Sequence, residues 1–431
     1  MTSTAAQMHE QADRIYQVIF EYAGQIGREQ DKDVLLGEVA AMARDLVAAD
    51  RCSIWLLDAQ KHELYTRVAD GVQEIRLPTG LGLVGRCVET GESSVVNSPA
   101  SDPRFSNEID RITGYRTEAI LTVPMRGAEG KIIGACQVLN KPGGFAPSDV
   151  DLISFAASFS AQAIENQQLQ VERESARRLK HELEIAREVQ QRLLPPSPII
   201  DNLDCAAICR PALQIGGDYY NYWALSGGKL AIALGDVSGK GISAALLMAS
   251  LQAWLHGLIL HSSNCSVDLP CLCGELNRIV YDNTAQDRYS SLFFAQWDPA
   301  IETLSYVNAG QTAPIIYRPK ANVGERITRL SEGGFPIGLM PGASYQQGTV
   351  HFGSGAWLVC FSDGISEAMN SLDEDWGEDN VIGTLEEAVD MTAATLANHM
   401  MQAALDFTGT APQHDDMTIV AIRRRPIFSN S

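Results

Sequence analysis

Between residues 166 and 194 the chain contains no glycine and no proline, and most side chains are charged or carry an amide: "QQLQVERESARRLKHELEIAREVQQRLLPP". Such a stretch cannot bury a core of its own, and nothing inside it breaks a helix until the proline pair at 195 and 196. It therefore divides the chain into globular parts at 16–165 and 197–424, with a helical linker over 166–195. Leu169, Ala176, Leu183 and Gln190 recur every seven residues, and Leu179, Ala186 and Leu193 form a second set offset by three. These are a and d positions of a coiled coil, with a seam weakened by alanine and glutamine. The pattern predicts a homodimer through the linker. The alternative is a single amphipathic helix that only connects.

A chain of 431 residues with 45% apolar residues has material for two or three domains. The net charge of −20 argues against nucleic acid and against an anionic membrane surface, since both need a basic footprint. The nine cysteines are odd in number and form no repeated CxxC pair, which predicts reduced thiols and a cytoplasmic protein. The N-terminal "MTSTAAQMHEQADRIY" lacks the blocks of a signal peptide, and no uninterrupted apolar run is long enough to span a membrane.

The N-terminal part alternates helical and extended patterns. "VLLGEVAAMARDLVAA" reads as a helix with an apolar face, and "RCSIWLLDAQKHELYTRVA" as two strands around a turn from Asp58 to His62. "EAILTVPMRGAEGKIIGACQVLNK" repeats the hairpin, and a long helix follows with Ser148 as its expected N-cap. The order predicts an antiparallel sheet with helices on one side. In the C-terminal part, short apolar runs such as "KLAIALGDV", "SSLFFAQWD", "TLSYVNAG", "APIIYR", "GAWLVCFSDG" and "MTIVAIR" alternate with helices expected near 243–260 and 384–405. Two packed sheets flanked by helices follow, so the whole chain is of the α+β class.

Acidic residues sit at the ends of these runs. Asp218 follows two glycines in "QIGGDYYNY", Asp236 ends "KLAIALGD", Asp363 follows "WLVCFS", and Asp415 and Asp416 precede "MTIVAI". One Asp beside a glycine is an ordinary turn residue. Four such sites in one domain, without basic partners beside them, repel one another unless a cation lies between. Oxygen ligands without His or Cys select Mg²⁺ or Mn²⁺ over zinc.

"GGDYY", "GDVSGKGISAALLMA", "NAGQTAP", "GGFPIGL", "FSDGISEA" and "DDMTIVAI" together resemble the metal-dependent (PPM-type) serine/threonine phosphatases, in particular their bacterial SpoIIE/RsbU-like branch. The resemblance implies an antiparallel β-sandwich flanked by helices that hydrolyses phosphoserine or phosphothreonine on a protein, using two Mn²⁺ or Mg²⁺ ions. It gives Asp236 the bridging position and Val237 a carbonyl ligand, Asp218 to the first ion, and Asp363 and Asp415 to the second. Asp416 is left open beside Asp415, since either could point inward, and Gly217 and Gly239 would let backbone approach the ions. Where the branch usually reads "NAGH" this chain has Gln311, and the nearest arginine before Asp218, Arg210, is not aligned to grip phosphate. Lys240 is nearer, and a solvated turn lysine is the competing reading. The implied substrate is a phosphorylated anti-sigma-factor antagonist, a STAS-domain protein.

Residues 16–165 resemble a GAF domain through "AADRCSIWLLD", "GLGLVGRCVETGESSVVN", "DPRF", "ILTVPM" and "GACQVLNK". Asn140, Lys141, Phe145 and Asp149 match a signature of cyclic-nucleotide-binding members, with Val150 in place of its final Glu. This implies either a sensor for a small, cyclic-nucleotide-like ligand or a structural module. A tetrapyrrole on Cys52, Cys87 or Cys136 is a remote variant of the first. Sensor, linker and enzyme in series imply signal transduction, with the helix around "SAALLMASLQAWL" as receiver. A degenerate phosphatase domain serving as a scaffold is the remaining alternative.

Overall fold

A computed structural model describes residues 2–425, except 27, 28, 30, 67–73, 108, 109, 112, 113, 263–267 and 286. Cys265 lies outside the described residues; the other eight cysteines are free thiols. The chain divides into two compact units, 1–178 and 179–431.

The first unit contains α1 (Thr2–Ile26), α2 (Lys32–Val47), β1 (Arg51–Asp58), β2 (Glu63–Thr66), β3 (Ile75–Pro78), α3 (Gly82–Thr90), β4 (Ser94–Val96), β5 (Ile120–Arg126) and β6 (Ile132–Leu139). The strands form one antiparallel sheet in the order β3-β2-β1-β6-β5-β4. Both expected hairpins are present. Side chains alternate across the sheet: Ile54 and Leu56 face a core shared with α1 and α2, whereas Trp55 faces Val84, Cys87 and Val88 of α3. Helices thus cover both faces, not one, because β1 and β6 are apolar on both.

α4 (Pro147–Leu193) is a single helix of 47 residues that begins in this unit and runs through the linker segment. Ser148 does not cap it. Asp149 reaches back to the Ala146 N–H (2.8 Å), half of a capping box. The buried Asp149 also accepts two bonds from Lys141 Nζ, at 2.7 and 2.8 Å. Asn140, at φ 54°, accepts the Glu118 and Ala119 N–H groups, and Phe145 is in the core. These four residues lock the sheet to the start of α4. Beyond the first unit's core, Leu169, Val171, Leu179, Ile185 and Val189 of α4 are exposed.

The second unit contains β7 (Leu203–Arg210), β8 (Tyr219–Ala224), β9 (Leu230–Val237), α5 (Ile242–Ser262), α6 (Leu269–Asn283), β10 (Ser290–Asp298), β11 (Thr303–Ala309), β12 (Ile315–Tyr317), β13 (Ile327–Arg329), β14 (Gly333–Gly334), β15 (Gly348–His351), β16 (Trp357–Phe361), α7 (Asp363–Ser366), α8 (Glu378–Glu386), α9 (Ala393–Thr408) and β17 (Met417–Arg424). One sheet runs β14-β11-β10-β9-β8 with β15 beside β11, the other β13-β12-β16-β17-β7. Leu230, Ile232 and Leu234 of β9 meet Leu358, Cys360, Val420 and Ile422 between the sheets. Ala231, Ala233 and Val237 face α5 and α6, and on the other sheet Val359, Phe361 and Ile419 face α8 and α9. Four layers result, helix-sheet-sheet-helix, and burial on both faces explains why the strands read as continuous apolar runs.

Two helical expectations change. The segment expected as one helix over 384–405 is α8 and α9, separated at Asp390 and Met391, with the Thr392 side chain accepting the Thr395 N–H to start the second. α5 is apolar on every side, and by length and composition it is the one helix among the described residues able to cross a membrane. Its Ser, Gln and His residues interrupt the apolar run in sequence, and its inner face packs on the β9 sheet.

The Lys141–Asp149 pair generates a first prediction. Asp149→Ala leaves a half-buried ammonium without its carboxylate and should cost about 3 kcal/mol. Denaturant unfolding of the first unit's signal measures it, and a loss below about 0.5 kcal/mol would show that the pair is no lock.

Candidate metal centre

The two sheets bring the acidic residues to one end of the sandwich. Tyr219 pairs with Gly235, so Asp218 precedes β8 beside Asp236 at the end of β9. Phe361 pairs with Ile419, so Asp363 just after β16 lies opposite the residues that lead into β17, among them Asp415 and Asp416. The two-residue alternation of each strand adds a direction. Leu234 and Tyr222 point between the sheets, and Asp236 and Asp218 share their parity. Both carboxylates therefore sit at the mouth of the inter-sheet gap.

Burial and mutual repulsion raise their proton affinities. Asp218 is 3% exposed, and neither of its oxygens is in hydrogen-bond geometry with a donor. Burial first, then the charge of Asp236, holds its carboxyl well above the usual range, moderated by the nearby Thr418 and Ser362 hydroxyls. Asp236 is pushed from 3.8 to about 7 by burial, then by Asp363, Asp415 and Asp416. Asp363 is raised by burial and by Asp415, with Lys240 opposing. Glu367, which sequence reasoning missed, is raised by burial and then by Asp363. Its signal was available in "FSDGISEA", where it follows Asp363 by one helical turn.

The neighbouring pair divides its work. Asp416 accepts from the N–H groups of Ala212 (Oδ1, 2.7 Å), Gly217 (Oδ2, 2.6 Å) and Asp218 (Oδ2, 3.4 Å). Asp415 is more open and meets Lys240 Nζ at 3.0 Å, and Lys240 also donates to the His414 carbonyl. Gly217 is tightly packed, since a Cβ there would lie 3.0 Å from the Val237 carbonyl oxygen. Gly239 turns the chain at φ 94°, and Arg288, another residue missed from sequence, lies over it and donates to the Ser238 carbonyl (3.1 Å). Arg210 ends β7 opposite Met417, with its carbonyl held by Gln413. Gln311 is buried and its side-chain Oε1 accepts the Thr312 N–H.

The donor set fits hard divalent cations. Two buried orphan oxygens on Asp218, the raised Asp236 and Asp363, and the nearby Val237 carbonyl all call for positive charge. Among the described residues no three acidic, imidazole or thiolate groups converge tightly enough to close a coordination shell as they stand.

Comparison with known proteins agrees with this architecture. Residues 226–425 match the family model for Stage II sporulation protein E (SpoIIE), and residues 31–164 match that for the GAF domain. The chain is 30% identical over 253 residues to Phosphoserine phosphatase RsbU of Bacillus subtilis, covering 57% of this chain and 71% of that protein. It is 32% identical over 172 residues to a cGMP-specific 3',5'-cyclic phosphodiesterase of Drosophila pseudoobscura, covering 36% of this chain and 16% of that protein. The SiaA-PP2C domain of Pseudomonas aeruginosa shares the fold, with a TM-score of 0.52 and 18% identity over 58% of this chain and 98% of that one. A sandwich with acids at its mouth is the architecture of a metal-dependent phosphatase. The chain belongs to the SpoIIE/RsbU family of PPM-type serine/threonine phosphatases and carries a GAF domain ahead of the phosphatase domain.

A stability prediction follows from Asp236. Its folded pKa lies above its unfolded one, so the folded state holds the proton longer, and stability falls as pH rises from about 4 to about 7. Above that window the charge costs at most about 4 kcal/mol. In EDTA at pH 8, Asp236→Asn should therefore unfold at a higher temperature than the wild type, while gaining less from added Mn²⁺. A lower melting temperature in EDTA would contradict the repulsion.

Proposed function

We propose that Asp218, Asp236, Asp363, Asp415 and the Val237 carbonyl hold two Mg²⁺ or Mn²⁺ ions. Bound there, the ions supply Lewis acidity and an activated water for attack on a phosphoryl group. The observation that carries this reading is Asp218, a carboxylate buried with both oxygens unpartnered beside a second raised acid. Asp415 is the ligand of the 415–416 pair, because Asp416 has its oxygens engaged by three backbone N–H groups. Asp416 orders the loop that presents Asp218, and Lys240 and Arg288 bring positive charge to the turn after Asp236, where a phosphoryl group arrives.

The substrate is a phosphoserine or phosphothreonine protein, and by family likeness a STAS-domain anti-sigma-factor antagonist. The domains run 16–165, 166–195 and 197–424, and the enzyme works in the cytoplasm as a homodimer through the linker. Supporting the dimer, Leu169, Leu179 and other apolar residues of α4 are exposed in the single chain. Supporting a small GAF ligand, a cavity of about 190 Å³ is lined by Arg44, Arg51, Cys52, Tyr115, Gln137 and Leu139, among others.

Purified enzyme should release phosphate from p-nitrophenyl phosphate and from a serine-phosphorylated STAS-domain protein only with Mn²⁺ or Mg²⁺. Loss of outer hydrogen-bond partners of a metal typically costs 10- to 100-fold, so Asp236→Asn, which removes a direct ligand, should cost on the order of 100-fold or more. Full turnover after exhaustive EDTA treatment would refute the metal reading. Light scattering tests the dimer, and a monomeric wild type would reduce the linker to a tether.

A further inference from the structure

We propose that Gln190 is a positioning residue for the metal centre, acting through the backbone of Gly216. Its Nε2 donates to the Gly216 carbonyl (2.7 Å), and its Oε1 accepts the Gly216 N–H (3.1 Å). One amide side chain thus satisfies both polar groups of one residue, because its donor and its acceptor are separate atoms on one planar group. Gln190 lies in the last turn of α4, so it is delivered by a rigid element. Gly216 lies two residues before Asp218.

The pairing acts on the loop that carries Asp218. Asp416 binds the N–H groups of Ala212, Gly217 and Asp218, and Ile215 is buried. The Gly216 N–H and carbonyl are left to Gln190. Two successive glycines have the largest backbone freedom of any dipeptide, so without that second hold the segment before Asp218 can pivot. A pivot there moves the carboxylate at the mouth of the sandwich, and metal ligands need geometry held to fractions of an ångström. The heptad pattern places Gln190 in the coiled-coil seam. In the structure its amide is engaged at Gly216, which explains a polar residue at a position where a seam favours leucine. The claim rests on Asp218 being a metal ligand, as proposed above.

The test uses the full chain with Gln190→Leu, which keeps the side chain's approximate volume and removes both bonds. Loss of the two bonds should speed backbone hydrogen exchange across residues 211–218. It should also weaken Mn²⁺ binding measured by calorimetry by ~10-fold, the equivalent of about one net hydrogen bond. The melting temperature in EDTA should fall, since the buried Gly216 N–H and carbonyl lose their partner, while the mass by light scattering should stay that of the wild type. Gln190→Glu keeps the acceptor and loses the donor, so it should also weaken binding, and it substitutes for the leucine variant if that fails to fold. Unchanged exchange across 211–218 would overturn the contact. Faster exchange with unchanged Mn²⁺ affinity would overturn the positioning role, as would a leucine variant of wild-type or higher turnover. A wild type that binds no Mn²⁺ but shows the exchange difference would instead overturn the metal reading on which the role depends.

Discussion

The phosphatase domain is held together at its active end by one carboxylate. Asp416 accepts backbone N–H groups from residues some 200 positions earlier in the chain, and so ties the approach to the last strand to the loop before β8. The first bond fixes Ala212 and the others fix Gly217 and Asp218. Charge-assisted bonds of this kind are roughly twice as strong as neutral ones, and a buried anion without them would be costly. Because β8 belongs to one sheet and β17 to the other, the same contact closes the sandwich where the acids gather. Within the β17 sheet, Ser362 donates to the Asp416 carbonyl while accepting the Thr418 N–H, and brings Asp363 alongside.

A carboxylate used this way is indistinguishable in sequence from one used as a ligand. "DDMT" contains one of the first kind and, on the reading proposed above, one of the second, and composition and spacing gave no reason to separate Asp415 from Asp416. What separates them is parity. Asp416 shares its phase with Thr418, Val420 and Ile422, the inward set of β17, whereas Asp415 falls outside it and stays open enough to meet Lys240. The location of the acids at strand ends was legible, because apolar runs buried on both faces have ends that polar residues mark. The four-layer sandwich and both GAF hairpins were legible for the same reason. β7, β8 and α6 were harder: "LDCAAICR" and "YYNYWA" mix polar and apolar residues, and α6 carries cysteines and an asparagine, Asn277, whose buried amide holds the Gly338 N–H and the Met340 carbonyl. Contacts between distant segments, such as Gln190 with Gly216 or Arg288 with Ser238, leave no local pattern at all.

The first unit solves a similar problem with opposite means. There too a buried acid, Asp149, orders the start of a helix, but Lys141 lies beside it and satisfies it within the chain. The match to the nucleotide-binding signature is thereby explained by folding: Asn140, Lys141, Phe145 and Asp149 are all occupied by contacts of the protein with itself. The cavity lies elsewhere, against α2, β1 and the Tyr115 segment, and its chemistry is set by other residues.

The contrast between the two acids states what the second unit has been built to do. Asp149 has its cation built in and contributes to stability. Asp218 has none, and together with Asp236 it sets like charges side by side in a buried gap, which weakens the fold around it. A chain keeps such a site only where surrounding structure over-determines it. Here the sandwich core beneath, Asp416 across the sheets and Gln190 at the glycine pair supply that excess. On the reading proposed above, a cation would relieve that repulsion, and the more rigidly the acids are held apart from other partners the less reorganisation its binding would cost, so the shell that over-determines this end of the sandwich would also favour the ion.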